Sequence, residues 1–281
     1  MTQKIPSFIS DINNEMIDAA VHALENEKFI LGESVFKFEE EFAKYIGTKN
    51  AISVNSGSSA LHLSLLSVNI SNNSKVITST NSFIASANTI LSTGAEPILA
   101  DIDESDGNLD MKNNQTNVDA IIPIHIYGNP CDFESVKEFA ETKKIPIIED
   151  ACQAHGATYK GKKVGSLGEL GCFSFYPTKN MTVGGDGGMI TTDDDDLAKT
   201  LISLRDNGRK ESNRSIHEKF GFTMRLNTVN AAIGRVELKN LDEKNKRRKE
   251  IAEIYEIIFD YILQFLGKGK DIGSCFLREF Y

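Results

Sequence analysis

Apolar residues along this chain follow two periods, and the two alternate. Residues 11–27 carry Ile17, Val21 and Leu24 on one helical face. Phe29-Ile-Leu-Gly32 breaks that pattern. A second amphipathic helix follows with Val35, Phe38, Phe42 and Tyr45 as its apolar stripe, and Gly47 stops it. Ala51–Val54 reads as a short buried strand, and Asn55-Ser-Gly-Ser-Ser59 opens a helix containing Leu61, Leu63, Leu65 and Leu66. The alternation continues through strands at 75–78, 96–101, 120–125 and 146–149, with helices at 85–91 and 133–142. Cys172–Phe175 and Gly188–Thr192 read as two more strands, and the acid run Asp193–Asp196 as a helix N-terminus favoured by the dipole.

Helices interleaved with strands predict an α/β fold with a mostly parallel central sheet flanked by helices. In such sheets ligands gather beyond the carboxyl ends of the strands. From Ala231 onward the pattern changes: Ile233, Val236, Leu241, Ile251, Ile254, Tyr255, Ile258 and Ile262 predict a long helix or a helix pair. No internal repeat or long linker is visible.

At 281 residues the chain can bury a large core, and its net charge of −9 argues against a nucleic-acid partner. The basic run Lys244–Lys249 lies among acids and reads as a solvated helix face. The N-terminus has no apolar signal core, and no apolar run is long enough to span a bilayer. The four cysteines are scattered without metal-ligand spacing, which suits a reducing compartment, so the expected location is cytoplasmic, with no membrane contact and no metal.

Two segments hold the candidate chemistry. Ile145-Pro-Ile-Ile-Glu-Asp150 is an apolar run ending on paired acids, and Ser174-Phe-Tyr-Pro-Thr-Lys179 precedes a glycine cluster, Gly184–Gly188. A strand-end acid and a lysine in a small-residue loop are what pyridoxal phosphate (PLP) chemistry needs. The lysine amine forms a Schiff base with the aldehyde, and the acid keeps the pyridinium nitrogen protonated. Each residue also has a plainer reading. Asp150 can be a buried acid paired with a cation, and the glycines a tight turn. Asn55–Ser59 can cradle an anion or simply cap a helix. Phe83 can stack on a flat ring or pack in the core, and Gln153 can bind a ring hydroxyl or sit at the surface. Among the histidines, His155 lies close enough to Gln153 to line the same pocket, while His62, His125 and His217 read as structural.

Taken in order, these segments resemble the DegT/DnrJ/EryC1/StrS family of PLP-dependent sugar aminotransferases. The resemblance runs from Gly32–Phe42 and Asn55–Leu61 through Gly94–Asp103, Pro123–Gly128, Glu149–Gly156, Phe173–Lys179 and Gly185–Gly188 to Asn230–Gly234. It implies an aspartate-aminotransferase-like fold (fold type I PLP-dependent transferase), a homodimer with sites at the subunit interface, and synthesis of surface-polysaccharide or antibiotic sugars. Lys179 matches the Schiff-base lysine, Asp150 the pyridinium partner, Gln153 the ligand of the ring hydroxyl and Phe83 the stacking aromatic. Gly57, Ser58 and Ser174 match phosphate contacts. Some relatives carry histidine where this chain has Lys179 and dehydrate instead, so the lysine favours transamination.

Two departures stand out. Gly221-Phe-Thr-Met-Arg225 replaces a family segment whose central asparagine reaches the neighbouring subunit's cofactor phosphate, and Thr223 is shorter. Family members also continue past this point, so the expected organisation is a PLP-binding α/β domain over 1–240 and the start of a truncated small domain over 241–281. The expected function is transfer of an amino group, from glutamate, to a nucleotide-linked keto-sugar. The alternative is a non-catalytic PLP-binding or regulatory protein of the same lineage.

Overall fold

Helix α1 (Asn14–Asn26) starts at Asn13, whose side chain accepts a hydrogen bond from the Met16 N–H at 2.9 Å. Helix α2 (Glu33–Ile46) ends at Gly47, which adopts φ 91°. The computed structural model describes residues 9, 11–112, 114, 116–210 and 212–265. Val35, Phe38 and Phe42 of α2 are fully buried, as their spacing predicts. The stripe on α1 behaves otherwise. Ile17, Val21 and Leu24 are exposed, and α1 buries Met16 and Ala23 instead. A small residue lets this short helix lie close to a long partner helix, so the bulky stripe is left on the outside.

The chain then runs through β1 (Asn50–Val54), α3 (Gly57–Ser67), β2 (Lys75–Ser79), α4 (Ala85–Ser92), β3 (Glu96–Ala100), β4 (Ala120–Ile122), α5 (Phe133–Lys143) and β5 (Ile148–Asp150). A hairpin of β6 (Thr158–Tyr159) and β7 (Lys162–Lys163) precedes β8 (Leu170–Ser174), β9 (Gly188–Thr192) and α6 (Asp195–Arg205). A second hairpin, β10 (Arg209–Lys210) and β11 (Asn213–His217), leads to α7 (Thr228–Phe265), one continuous helix of 38 residues. Helix α6 begins inside the acid run. The Asp194 carboxylate accepts from the N–H groups of Asp196 and Leu197.

Strands β3, β2 and β4 pair in parallel. Parallel bridges Ile121–Ile147 and Ile124–Asp150 carry the sheet on to β5, which is parallel to β8. Strand β9 runs antiparallel to both β8 and β1. The order is therefore β3-β2-β4-β5-β8-β9-β1, a mostly parallel sheet with β9 reversed.

Both faces of this sheet are covered, and strand alternation divides its residues between two cores. Cys172 and Ile190 face the side packed by Leu61 and Leu65 of α3 and Leu201 of α6. Their neighbours Phe173 and Met189 face Phe38 and Phe42 of α2 and Leu241 of α7. Phe42 meets Phe173 edge-on at 5.0 Å between ring centroids. Because β1, β2, β5 and β8 share one direction, their carboxyl ends share one edge. The residues that follow them are Gly57, Phe83, Cys152 and Lys179.

Candidate active site

Asp150 is the last residue of β5 and is buried. The neighbouring strand end clamps its backbone: its N–H donates to the Pro123 carbonyl at 2.9 Å, and its carbonyl accepts from the His125 N–H at 3.1 Å. The Ser86 hydroxyl of α4 donates to Oδ2 at 2.9 Å, and the Cys152 N–H donates to Oδ1 at 3.1 Å. Ser86 thus serves one carboxylate oxygen and the Cys152 N–H the other, and each oxygen has a second lone pair for a further donor. The Cys152 thiol is held well above its ordinary pKa by burial first and by the Asp150 charge second, so it stays protonated; the Lys179 charge acts on it in the opposite sense. Cys152 therefore lies within the fields of both predicted catalytic groups.

Glu149, one residue earlier, faces the other way. Its Oε1 accepts from the N–H groups of Leu167 and Gly168 at 2.7 and 2.9 Å. Its Oε2 accepts from the Gly165 N–H at 2.8 Å and pairs with His125 Nε2 at 3.0 Å. This buried carboxylate pins the 165–168 turn behind β5.

Gly57 opens α3 where the helix start meets the side chains of Ser174 and Cys152. A Cβ there would come within 2.7 Å of Ser174 Cβ and 2.9 Å of Cys152 Sγ, so only glycine lets the α3 N-terminus sit against the ends of β5 and β8. The cap is Ser56, whose hydroxyl accepts from the Ser59 N–H at 3.0 Å. That leaves the N–H groups of Gly57 and Ser58 leading the helix, where no intrahelical carbonyl reaches them. Ser58 is exposed and Ser174 half-buried, and Ser174 lies against Gly57 at the start of α3.

Phe83 precedes α4 and is 68 % exposed, which excludes the core-packing reading. It lies three residues before Ser86, so the helical start that supplies the Asp150 hydrogen bond also presents this ring. Gln153 Oε1 accepts from the Tyr127 N–H at 2.9 Å, which leaves the amide NH₂ as a donor. Tyr127 holds the left-handed φ of 57° at this contact.

Lys179 is half-buried in the turn after β8, where its N–H donates to the Tyr176 carbonyl at 2.8 Å. Its side chain and that of Gln153 line a cleft of about 1010 Å³, with His155, Tyr127 and the middle of α7. His155 is 2 % exposed, and neither ring nitrogen has a hydrogen-bond partner among the described residues. Burial, and then the Lys179 charge, push its pKa down to about 3, so the ring is neutral.

Of the predicted site residues Lys179 and Gln153 line that cleft, and Gly57, Ser58, Phe83, Asp150, Ser174 and Thr223 do not. Thr223 is exposed, and its hydroxyl donates to Asn207 Oδ1 at 2.9 Å. The next residue, Met224, accepts from the Asn55 N–H at 3.0 Å, which sets Thr223 beside the end of β1. Ser86, Tyr127, Asn245 and Arg248 are contributors that the sequence analysis did not pick out. Ser86 had a readable signal, one helical turn after Phe83. The others are brought in by long-range contacts.

The residues present fit PLP: a glycine-gated cradle for a phosphate, an exposed ring, a strand-end carboxylate with free lone pairs, and a lysine in the same region. The topology and this edge-on site define a fold type I PLP-dependent transferase. The chain belongs to the DegT/DnrJ/EryC1/StrS aminotransferase family, whose sequence model matches residues 10–267. Aminotransferases of this family use PLP. The chain is 41 % identical over 230 residues to a GDP-perosamine synthase of Caulobacter vibrioides, covering 80 % of this chain and 62 % of that protein. It is 38 % identical to a dTDP-3-amino-3,4,6-trideoxy-alpha-D-glucose transaminase of Streptomyces venezuelae, covering 85 % and 64 %. The crystal structure of an aminotransferase from Psychrobacter cryohalolentis superposes with a TM-score of 0.85 at 32 % identity, covering 88 % of this chain and 67 % of that one. The chain thus spans less than two thirds of the length of both named curated relatives.

Proposed function

We propose that this protein is a PLP-dependent aminotransferase that moves an amino group from glutamate to a nucleotide-linked keto-sugar. The observation that carries this reading is that β5 and β8 end at one sheet edge, where Asp150 closes β5, Gly57 packs against Ser174 and Cys152, and the turn after β8 carries Lys179. The sugar-nucleotide substrate is supported by the GDP- and dTDP-linked products in the relatives' names.

When bound, PLP supplies an aldehyde that captures amines and a cationic ring that draws electrons from the attached carbon. Asp150, oriented by Ser86 and the Cys152 N–H, would hold a proton on the ring nitrogen. Gly57, Ser58 and Ser174 would bind the phosphate, Phe83 would stack on the ring, and the free Gln153 amide would donate to the ring hydroxyl. The Lys179 amine would anchor the cofactor and, once displaced by the donor, carry a proton between the substrate carbon and the cofactor carbon. The neutral His155 beside it adds no competing charge.

A homodimer belongs to this reading. Phe83, Ile84, Leu91 and Leu99 are exposed apolar residues on and around α4 and β3, which favours a covered face. Thr223 would approach the partner's phosphate, with a shorter reach than the asparagine of relatives. We assign residues 1–240 to the PLP-binding domain and place the start of a second domain at 241, inside α7; the rest of that segment, residues 266–281, lies outside the described residues. The described cysteines are free thiols, which suits the cytoplasm. Among the described residues no helix is long and apolar enough to cross a membrane.

Borohydride reduction of PLP-saturated protein, followed by peptide mapping, should place the cofactor mass on Lys179. A label on another lysine, or none, defeats the assignment. Adding glutamate should shift the cofactor absorbance to the pyridoxamine form; a bound cofactor that ignores glutamate would instead support the non-catalytic alternative.

A further inference from the structure

The cleft that holds Lys179 has a second wall, made by α7. Lys246, Arg248 and Lys249 line it, together with Asn245, Tyr255 and Phe259. The expectation of a solvated basic face holds for only part of this run. Lys244 is engaged by Asp11 at 2.9 Å and Glu237 at 2.8 Å, and Arg247 by Glu250 at 3.0 Å. Arg248 reaches inward, donating to Asn245 Oδ1 at 3.1 Å and to the carbonyl of Asn180, the residue after Lys179, at 3.2 Å. Asn245 in turn donates to the His155 carbonyl at 2.7 Å. These bonds fix α7 against the two loops that carry Lys179 and Gln153.

Lys246 and Lys249 are spaced three apart, on one helical face, and neither has an ion-pair partner among the described residues. Among the described residues lining the cleft the one acid is Asp242, which already accepts from the Tyr45 hydroxyl and lies 3.9 Å from Lys163. On a chain of net charge −9, this concentration of cations inverts the local field and draws anions in. Farther along the same helix, Tyr255 and Phe259 stack with centroids 6.4 Å apart and planes 27° apart. Lys249 and Tyr255 are about 9 Å apart along the helix axis and both line the cleft.

We propose that Lys246 and Lys249 bind the diphosphate of the nucleotide-linked sugar and that Tyr255 and Phe259 face its base, directing the sugar toward Lys179. This rests on the substrate class proposed above and deepens it by assigning the partners of the anion. Arg248 is a positioning residue, since one donor from each terminal nitrogen goes to Asn245 and Asn180 and ties α7 to the Lys179 turn.

The test is calorimetric titration of UDP, GDP and dTDP, and separately of inorganic pyrophosphate, into the full chain saturated with PLP, so that the cradle at the start of α3 is filled. The double variant K246A/K249A should weaken diphosphate binding by about tenfold or more. Y255A should weaken nucleotide but not pyrophosphate. R247A removes a cation of the same helix that pairs elsewhere and should change nothing. Wild-type affinity should fall as salt is raised. Unaltered binding in K246A/K249A, equal loss in R247A, or no measurable binding of any of the three nucleotides to wild type would overturn the proposal. A wild type that binds nucleotide through these lysines but fails the glutamate half-reaction would remove the transaminase reading and leave the subsite standing; a working half-reaction with unaltered nucleotide binding in the double variant would do the reverse.

Discussion

Glu149 and Asp150 are adjacent, both buried and both carboxylates, yet they face regions built for different purposes. Behind β5, Glu149 meets three backbone N–H groups and an imidazole, and its oxygens are filled. In front, Asp150 meets one hydroxyl and one N–H, and each oxygen has room for a further donor. A buried acid that is fully satisfied holds a fold together. One that is half satisfied, at the sheet edge where ligands gather in such folds, is prepared for a ligand.

The largest effect is expected in front of the strand. Lys179→Ala should cut amino transfer by about 10³-fold or more and abolish the covalent label, while the chain stays folded. Residual transfer within tenfold of wild type would show that another amine does the work.

Behind the strand the cost is in stability. Glu149→Gln keeps the shape but replaces an accepting oxygen by an NH₂ that faces backbone donors. It should destabilise the fold by about 3 kcal/mol, read as a lowered urea midpoint. A midpoint at the wild-type value would remove the structural role assigned to this acid.

His155 lies between the two regions and gives the comparison a pH dependence. Its folded pKa is pushed from 6.5 down to about 3. Above pH 6.5 both native and unfolded imidazoles are neutral, and the contribution is flat. As pH falls below 6.5 the unfolded chain takes up a proton that the native chain refuses, so stability declines toward the folded value. At pH 5 this amounts to roughly 2 kcal/mol. His155→Gln should therefore lose less stability than wild type between pH 7 and pH 5. Parallel losses would mean that the buried ring does not titrate as its surroundings dictate.

Much of the architecture was legible because each strand of the parallel set is an apolar run that ends on small or polar residues, so Asp150, Ser174 and Lys179 announced a shared edge. The α2 stripe was legible for a similar reason: Val35, Phe38 and Phe42 have one broad core to meet. Periodicity failed on α1, where a regular stripe marks a face but does not say what covers it. The β6–β7 and β10–β11 hairpins were not read at all, since β6, β7 and β10 have two residues each and Asn213–His217 of β11 is mostly polar, with no apolar alternation to detect. Within the site, residue types with strong chemical signatures were found from sequence. Ser86, Asn245 and Arg248 were not, because a serine, an asparagine or an arginine becomes part of a site only when distant segments fold against it. The basic run at 244–249 shows the same limit. Its charges divide among surface pairs, an inward anchor and a cleft wall, and only the helix's packing decides which is which.

The smallest expected effect tests whether Asp150's light set of partners is itself functional. Ser86→Ala removes the hydroxyl that donates to Asp150 Oδ2, with a net cost of about 1 kcal/mol. If that bond serves to aim the carboxylate at a ring nitrogen, the loss appears as about a fivefold rise in the PLP dissociation constant. The ring's absorbance should then titrate with pH, because the nitrogen holds its proton less firmly. The unfolding midpoint should move little, since the oxygen it exposes still faces a polar edge. If the urea midpoint falls and PLP affinity does not, Ser86 belongs with the partners of Glu149, and the distinction drawn between the two sides of β5 fails at its most sensitive point.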